Sequence, residues 1–222
     1  ITDSTLSGNR ADDDDGGLFA KALAHLGNPF PTPPAITISR SLISGNTALN
    51  RGGGAYTYNT ESSETLIEDS RITDNKVPTS ESGFRNGGGI YAYVLGPPSG
   101  ANMPTVTITR STIDDNEADR IGGGIFLCGK DSGNLILTNS TVSDNRTLDP
   151  ESGTEGGIFI AHPDNDLATV NAILRNVTVT QNVSALSGGV GIVNLPRVQV
   201  EIANSIISQN FTTTAKTTPS NL

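Results

Sequence analysis

Seven copies of one short pattern, each anchored on an asparagine, determine what this chain can fold into. Successive anchors are 37, 29, 41, 29, 37 and 28 residues apart. The shortest unit is therefore 28–29 residues long, and the longer copies carry inserted loops. The anchors are Asn9, Asn46, Asn75, Asn116, Asn145, Asn182 and Asn210.

Aliphatic residues occupy fixed positions relative to each anchor. Leu, Ile or Val stands three residues before the anchor and eight residues before it in all seven copies. Ser stands five residues before it in six of the seven. A Gly-Gly pair and an apolar residue follow the anchor in the first six copies, as in Gly123-Gly124-Ile125. A unit this short cannot bury its own aliphatic residues, so neighbouring units must stack.

Stacking places equivalent residues about 4.8 Å apart, which is the strand spacing of a sheet. The aliphatic columns then form a continuous core. The Asn column forms a ladder at a bend, where Asn accepts left-handed geometry and its amide bonds to the copies above and below. We predict an all-β fold, a right-handed parallel β-helix of about seven coils and three parallel sheets with loop insertions. Residues 1–211 form this single domain, and residues 212–222 form a polar tail or linker.

The composition agrees with this fold and argues against several other classes. Apolar residues make up 34% of the chain and aromatic residues 5%, which is low for packed amphipathic helices, and residues 18–27 are the one candidate helix. The formal charge is −9 and no Lys/Arg cluster is present, so we expect no nucleic-acid partner. The single cysteine, Cys128, excludes an internal disulfide. The sequence contains no run of about 18 apolar residues, so we predict no transmembrane segment.

Two stretches, LISGNTALNRGGGAY (42–56) and TIDDNEADRIGGGIF (112–126), resemble the paired repeats of chlamydial polymorphic outer membrane proteins. Those repeats combine [FIL]-x-x-N with G-G-[AG]-[ILVY], and similar repeats occur in many large bacterial surface proteins of the right-handed β-helix superfamily. The resemblance covers nearly the whole chain. It implies a bacterial extracellular or cell-surface protein with a structural or adhesive role, such as a stalk, an adhesin segment or a filament subunit.

The two ends of the chain suggest what it contacts. Ile1 lies inside a predicted strand, and the seventh copy ends without a Gly-Gly pair. An open coil exposes unpaired strand edges, which β-helices normally cover. We therefore expect self-association, end to end or side by side, or neighbouring coils of a longer chain.

An acidic column is the first candidate site. Asp74, Asp115 and Asp144 stand directly before three successive anchors. Stacking should place their carboxylates about 5 Å apart, a separation that resembles the carboxylate pair of a retaining glycosidase. Related folds include pectin-degrading enzymes with acidic clusters of this kind. The three residues are therefore the catalytic candidates if the protein is a carbohydrate-active enzyme, either a polysaccharide lyase or a glycoside hydrolase.

Two other interpretations of the same column stay open. Asp74, Asp114, Asp115 and Asp144 offer oxygen ligands that suit Ca²⁺, with Asp114, Asp115 and Glu117 facing solvent. Alternatively, Asp-Asn is ordinary turn chemistry repeated because the bend repeats, and no cofactor is needed. Enzymes of this shape place basic residues beside the acids, and Arg71, Arg110 and Arg146 lie near the column.

An aromatic column is the second candidate site. It follows the Gly-Gly pairs at positions that alternate with inward aliphatic residues, so the rings should point outward. Its members are Phe19, Tyr56, Tyr91, Phe126 and Phe159. An open column of this kind would bind a surface glycan by stacking on sugar rings. Alternatively, the inserted loops 20–35, 59–64 and 94–105 fold over it and form a satellite core.

Overall fold

The computed structural model describes residues 1–23, 35–79, 83–97, 103–129, 132–161, 169–193, 198–213 and 215–219. Short strands recur through these ranges in a fixed order, and none of the described residues lies in a helix. Of the candidate helix, residues 18–23 are described and Leu18–Ala22 form a strand, while residues 24–27 lie outside the described residues. No described segment has the length and apolar character of a membrane-spanning helix.

The first two coils and the start of the third contain nine strands. They are β1 (Thr5–Ser7), β2 (Arg10–Ala11), β3 (Leu18–Ala22), β4 (Ala35–Ser39), β5 (Leu42–Ser44), β6 (Thr47–Ala48), β7 (Ala55–Thr60), β8 (Glu64–Glu68) and β9 (Arg71–Thr73). The middle coils contain β10 (Lys76–Val77), β11 (Ile90–Leu95), β12 (Thr105–Thr109), β13 (Thr112–Asp114), β14 (Glu117–Ala118), β15 (Ile125–Gly129), β16 (Gly133–Thr138), β17 (Thr141–Ser143) and β18 (Arg146–Thr147). The last coils contain β19 (Ile158–Ala161), β20 (Val170–Arg175), β21 (Thr178–Thr180), β22 (Val183–Ser184), β23 (Val190–Val193), β24 (Val198–Ala203), β25 (Ile206–Ser208), β26 (Phe211–Thr212) and β27 (Ala215–Pro219).

Every fourth strand from β1 to β26 belongs to the same sheet. The first sheet is β1-β5-β9-β13-β17-β21-β25, the second β2-β6-β10-β14-β18-β22-β26-β27, the third β3-β7-β11-β15-β19-β23 and the fourth β4-β8-β12-β16-β20-β24. Pairing is parallel throughout except between β26 and β27. This stacking of equivalent strands is the predicted parallel β-helix. The strand β27 lies within the segment predicted as a tail.

The described strands form four sheets, whereas three were predicted. Two bends in each coil account for the extra sheet. One stands six residues before the anchor, as at Arg40, and separates the fourth sheet from the first; the other stands directly before the anchor, as at Gly45, and separates the first from the second. Both bend residues have positive φ, so the extended backbone is interrupted twice within a few residues.

The core consists of the predicted aliphatic columns. Ile38, Ile67 and Ile108 stack in the fourth sheet, and Ile43 and Ile72 stack in the first, all fully buried. They belong to one continuous cluster that runs through the coils. Because each strand pairs residue by residue with its neighbour, the register that buries one aliphatic residue buries the whole column.

The Asn ladder is the second internal element, and it runs through all seven coils. The side-chain Nδ2 of each anchor donates to the Oδ1 of the next one at 2.9 Å. The backbone N–H of the same anchor donates to that Oδ1 as well, at 3.0–3.1 Å. From Asn46 to Asn210 the anchors are fully buried. The ladder therefore fixes each coil on the next through a pair of buried hydrogen bonds.

Candidate functional site

The acidic column lies at the bend directly before the buried anchors. All seven residues at this position have positive φ, between 54° and 67°. They are Gly8, Gly45, Asp74, Asp115, Asp144, Gln181 and Gln209. The left-handed geometry expected at the Asn lies instead one residue earlier, and the Asn is the buried hydrogen-bonding residue. Gly and Asp suit this position because they accept left-handed backbone more readily than branched residues do.

The structure brings the three predicted catalytic carboxylates together. Asp74, Asp115 and Asp144 are exposed and lie on three stacked coils. Partial burial raises the pKa of Asp115, and the negative charges of Asp114, Asp144 and Asp74 raise it further, while Arg71 opposes the rise. The column is therefore a line of interacting like charges at the surface.

Asp114 and Glu117 differ from the prediction that they face solvent. Both are buried. The Nε of Arg71 donates to Asp114 at 2.9 Å from the neighbouring strand, and the Nε of Arg146 donates to Glu117 at 2.6 Å. The side chains of these two arginines lie over the carboxylates and shield them from water. The carboxylate of Asp114 is thus engaged in an ion pair. It is not free to join Asp74, Asp115 and Asp144 as a calcium ligand.

The three arginines near the acidic column each have an acidic partner. Arg71 and Arg146 bond to the two buried carboxylates. Arg110 donates to Asp69 at 2.7 Å and to Glu68 at 2.8 Å. Their hydrogen bonds go to carboxylates of the bends and strands, and only the charge of Arg71 acts on Asp115 of the Asp74–Asp144 line.

The acidic column does not form a metal-binding cluster. Within the described ranges, no group of three or more His, Cys, Asp or Glu side chains is arranged to hold a metal ion. The Ca²⁺ interpretation stays a prediction that rests on the exposed residues Asp74, Asp115 and Asp144.

The aromatic column forms a continuous stack on the outer side of the third sheet. Ring centroids are 5.1 Å apart between Phe19 and Tyr56, 4.9 Å between Tyr56 and Tyr91, 5.1 Å between Tyr91 and Phe126, and 5.3 Å between Phe126 and Phe159. The rings form a cluster separate from the aliphatic core, as the alternation predicted. Four of them are buried, and only the first, Phe19, is exposed, at 44%. The column is therefore a satellite core with one open end.

Burial of the rings agrees with the predicted satellite core, although residues 24–34 and 98–102 of the loops predicted to cover it lie outside the described residues. Part of the cover is described. It comes from the segment before each Gly-Gly pair, since Ile121 packs on the cluster and the guanidinium of Arg51 lies 5.6 Å from the ring centre of Tyr91. A Cβ at Gly52 would lie 2.8 Å from the Cβ of Tyr56, and Gly87 and Gly122 show the same approach to their own rings. These glycines have positive φ and let the backbone close over the rings.

Two acids replace the covering glycine in other coils. Asp15 and Glu155 occupy its place before the Gly-Gly pair and also have positive φ. Burial raises the pKa of Glu155 to about 7. Burial and the neighbouring charges of Asp14 and Asp13 raise the pKa of Asp15 to about 7 as well. In the sequence this replacement is visible as a break in the Gly-Gly-Gly pattern, since an acid stands where the middle coils have the first glycine.

A ladder of alternating charges lines a surface groove of about 760 Å³. Its residues, Asp3, Arg40, Asp69 and Arg110, stand six positions before the anchors and have positive φ. The Nε of Arg40 donates to Asp3 at 2.7 Å, which matches the bond between Arg110 and Asp69. Sequence reasoning missed this column, although the alternation of Asp and Arg is visible at one fixed offset.

A second groove, of about 530 Å³, lies on the outer face of the fourth sheet. Asn134 and Asn171 line one side, and the amide of Asn171 donates to Asn134 at 3.0 Å. Ile136 and Ile173 lie beside them as an aliphatic strip, and all four side chains are partly exposed. This face combines amide groups with apolar surface on a regular strand spacing.

Stacked coils, parallel sheets and internal ladders define a β-solenoid. The profile of the family described as "Right handed beta helix region" matches residues 27–221, and the chain belongs to that family. Comparison with curated proteins and with solved structures gives no match. The family fits both structural or adhesive proteins and carbohydrate-active enzymes, so the function must be argued from the surface of this chain.

Proposed function

We propose that the chain is a non-enzymatic, rod-shaped module of a bacterial extracellular or surface protein, with a structural or adhesive role. The Asn ladder is the observation that carries this proposal. Each anchor uses its backbone N–H and its Nδ2 to hold one Oδ1 of the next coil. Bending the rod between coils would break such buried pairs, which cost more to lose than exposed bonds. Seven coils give a stiff unit roughly 30–35 Å long.

The roles of the conspicuous side chains also support a structural function. Asp115 occupies a bend that other coils build with Gly45 or Gln181, so the bend itself accounts for its place. Arg71 and Arg146 neutralise buried carboxylates. The aromatic rings pack on one another beneath the glycine segments.

Partners of such a rod are other coils or a glycan. Self-association with a second copy, or stacking on coils of a longer chain, is the partnership that we propose. A neutral surface glycan is the alternative, and the outer groove of the fourth sheet suits it better than the covered aromatic column. There the amides of Asn134 and Asn171 face the same side as the strip of Ile136 and Ile173.

Electron microscopy of the purified chain tests the structural proposal. Rods or filaments whose length is a multiple of the single unit are expected for the wild type and for the Asp115→Asn/Asp144→Asn variant alike. Isolated short rods at all concentrations would refute self-association. Cleavage of a polysaccharide by the wild type, lost in that variant, would refute the non-enzymatic role.

A carbohydrate-active enzyme is the second candidate, favoured by one observation. Asp74, Asp115 and Asp144 are exposed together, and the pKa of Asp115 is raised partly by the other two. Acid and base catalysis by glycan-cleaving enzymes uses clustered carboxyl groups, one of them with a raised pKa. Assays of reducing ends and of unsaturated sugar products, over a panel of acidic and neutral polysaccharides, decide between this candidate and the rod.

Calcium binding at the same residues has a separate test. A rise in melting temperature on addition of CaCl₂, absent with MgCl₂ and absent in Asp115→Asn, would support a bound cation. An unchanged melting temperature would remove the Ca²⁺ interpretation and leave the rod proposal intact.

A further inference from the structure

One layer of the aliphatic interior is polar, at the turn from β7 to β8. Four inward side chains there carry hydroxyl or amide groups, and all are buried. They are Thr57, Asn59, Ser63 and Thr65. Thr57, Asn59 and Thr65 belong to the inside of the solenoid, because the residues that pair with them one coil further on are core residues. Ser63 lies at the turn between the two strands and is fully buried.

The next coil shows what these positions normally hold. Ala92 pairs with Thr57, Val94 with Asn59, and Val106 with Thr65. All three are fully buried members of the aliphatic core. On the other side, Ala20 pairs with Thr57 and Ala22 with Asn59. The polar layer is thus bounded by apolar coils, and the alanines before it are small.

Three atoms of this layer lack a protein hydrogen-bond partner. Thr65 Oγ1 donates to Asn59 Oδ1 at 3.0 Å. The remaining groups, Thr57 Oγ1, Asn59 Nδ2 and Ser63 Oγ, are buried and bond to no protein group. Exchanging the amide oxygen and nitrogen of Asn59 does not solve this, since one amide atom is left over in either orientation. Buried polar groups are almost always paired, with protein or with ordered water.

We infer that this layer is a binding site for internal water, held by Thr57, Asn59 and Ser63 inside the solenoid. A water molecule accepts from Asn59 Nδ2 and donates to the two hydroxyl oxygens, which gives it the three bonds that buried waters typically make. The groups are neutral, and no charged side chain belongs to the four. An ion would lose its hydration there without a charged partner, so the four neutral groups favour water over an ionic ligand.

The site also explains why four positions change together. A single hydroxyl or amide in the aliphatic interior would be unpaired and costly. With all four present, one donor–acceptor pair forms within the protein, and the other three groups are those that we assign to the bound water. The layer therefore acts as a unit, and its members should not be exchangeable one at a time.

The test combines direct detection of water with apolar substitutions, three of which are copied from the next coil. In a crystal structure at a resolution that shows ordered solvent, we expect a water within hydrogen-bonding distance of at least two of the three atoms. In solution, the side-chain amide protons of Asn59 should show a direct nuclear Overhauser effect to water with a long residence time. A structure in which the three atoms bond to protein groups instead, with no water, would overturn the proposal.

Stability measurements provide an independent check. Asn59→Val should lower the melting temperature by several degrees, because it removes a partner of Thr65 and one of the bonds to water. The full replacement Thr57→Ala/Asn59→Val/Ser63→Ala/Thr65→Val should lose the water signal and regain or exceed the wild-type melting temperature. As a matched control, Val94→Asn places an amide in the adjacent apolar layer and should destabilise without creating a water signal. A full replacement less stable than Asn59→Val would contradict a cooperative water site.

Discussion

The carboxyl group of Glu155 lies where a side chain at Gly191 would stand. Gly191 pairs with Phe159 of the preceding coil and continues the aromatic column by position. Glu155 stands where the middle coils have the covering glycine, with a φ of 44°. The two positions have therefore exchanged a large and a small side chain. Glu155 occupies the space of the missing aromatic ring, and Gly191 leaves room for Glu155.

This exchange predicts a rescue. Gly191→Phe should destabilise the fold by about 1–3 kcal/mol, because the new ring overlaps Glu155. Glu155→Gly/Gly191→Phe should recover that loss, since it recreates the glycine and ring of the middle coils and extends the stack beyond Phe159. Urea unfolding of the wild type, both single variants and the double variant gives the coupling free energy. Simple additivity of the two substitutions would show that they do not share one space.

The buried carboxyl of Glu155 predicts a dependence of stability on pH. Burial raises its pKa from 4.5 to about 7, so the folded state favours the neutral form. The resulting stabilisation is complete below pH 4.5 and is lost as the pH rises through about 7. It amounts to about 3 kcal/mol, because each unit of pKa difference corresponds to about 1.36 kcal/mol. Asp15 titrates in the same range, so the measurement is the difference between the wild type and Glu155→Gln. Equal pH profiles for the two proteins would contradict a buried, uncharged Glu155.

The repeat was sufficient to predict the coils, the core columns and the Asn ladder. Residues such as Ile43 and Asn46 recur at one offset, and stacking of identical positions leaves a single arrangement for them. The number of sheets was harder to predict from the sequence. It depends on two bends per coil, and residues as different as Arg40 and Gly45 occupy them, so no single residue type marks the bend.

The candidate sites were harder to predict, because their exposure depends on what packs over them. The outward direction of Tyr91 follows from alternation, but its burial depends on the approach of Gly87 and Arg51. Asp114 looks like a free turn acid in sequence, yet Arg71 comes from 43 residues away to bond it. Such contacts between coils can be predicted only when the register of the whole solenoid is known. The local sequence pattern does not determine that register.

The acidic column gives a prediction about backbone geometry. Asp115→Gly should be tolerated, since Gly occupies the same bend in the first two coils and the change removes a repelled carboxylate. Asp115→Val should lose about 1–2 kcal/mol, because a branched residue disfavours left-handed backbone. Gln181→Val, at the same bend where the native residue is uncharged and lies between Asp144 and Gln209, should lose a similar amount. Thermal unfolding of the three variants separates geometry from charge, and a loss restricted to Asp115→Val would assign the bend a charge-dependent role.

The Asn ladder predicts that the same substitution costs more in the middle of the rod than at its beginning. Asn116 Oδ1 accepts from the backbone N–H and the Nδ2 of Asn75, and its own Nδ2 donates to Asn145. Asn116→Ala leaves these groups buried without partners and should destabilise by about 2–5 kcal/mol. Asn9 is exposed and its side chain only donates to Asn46, so Asn9→Ala should lose about 0.5–1.5 kcal/mol. Guanidinium unfolding of both variants measures the difference. Equal losses would mean that the ladder does not hold the coils together, and the stiffness proposed for the rod would need another origin.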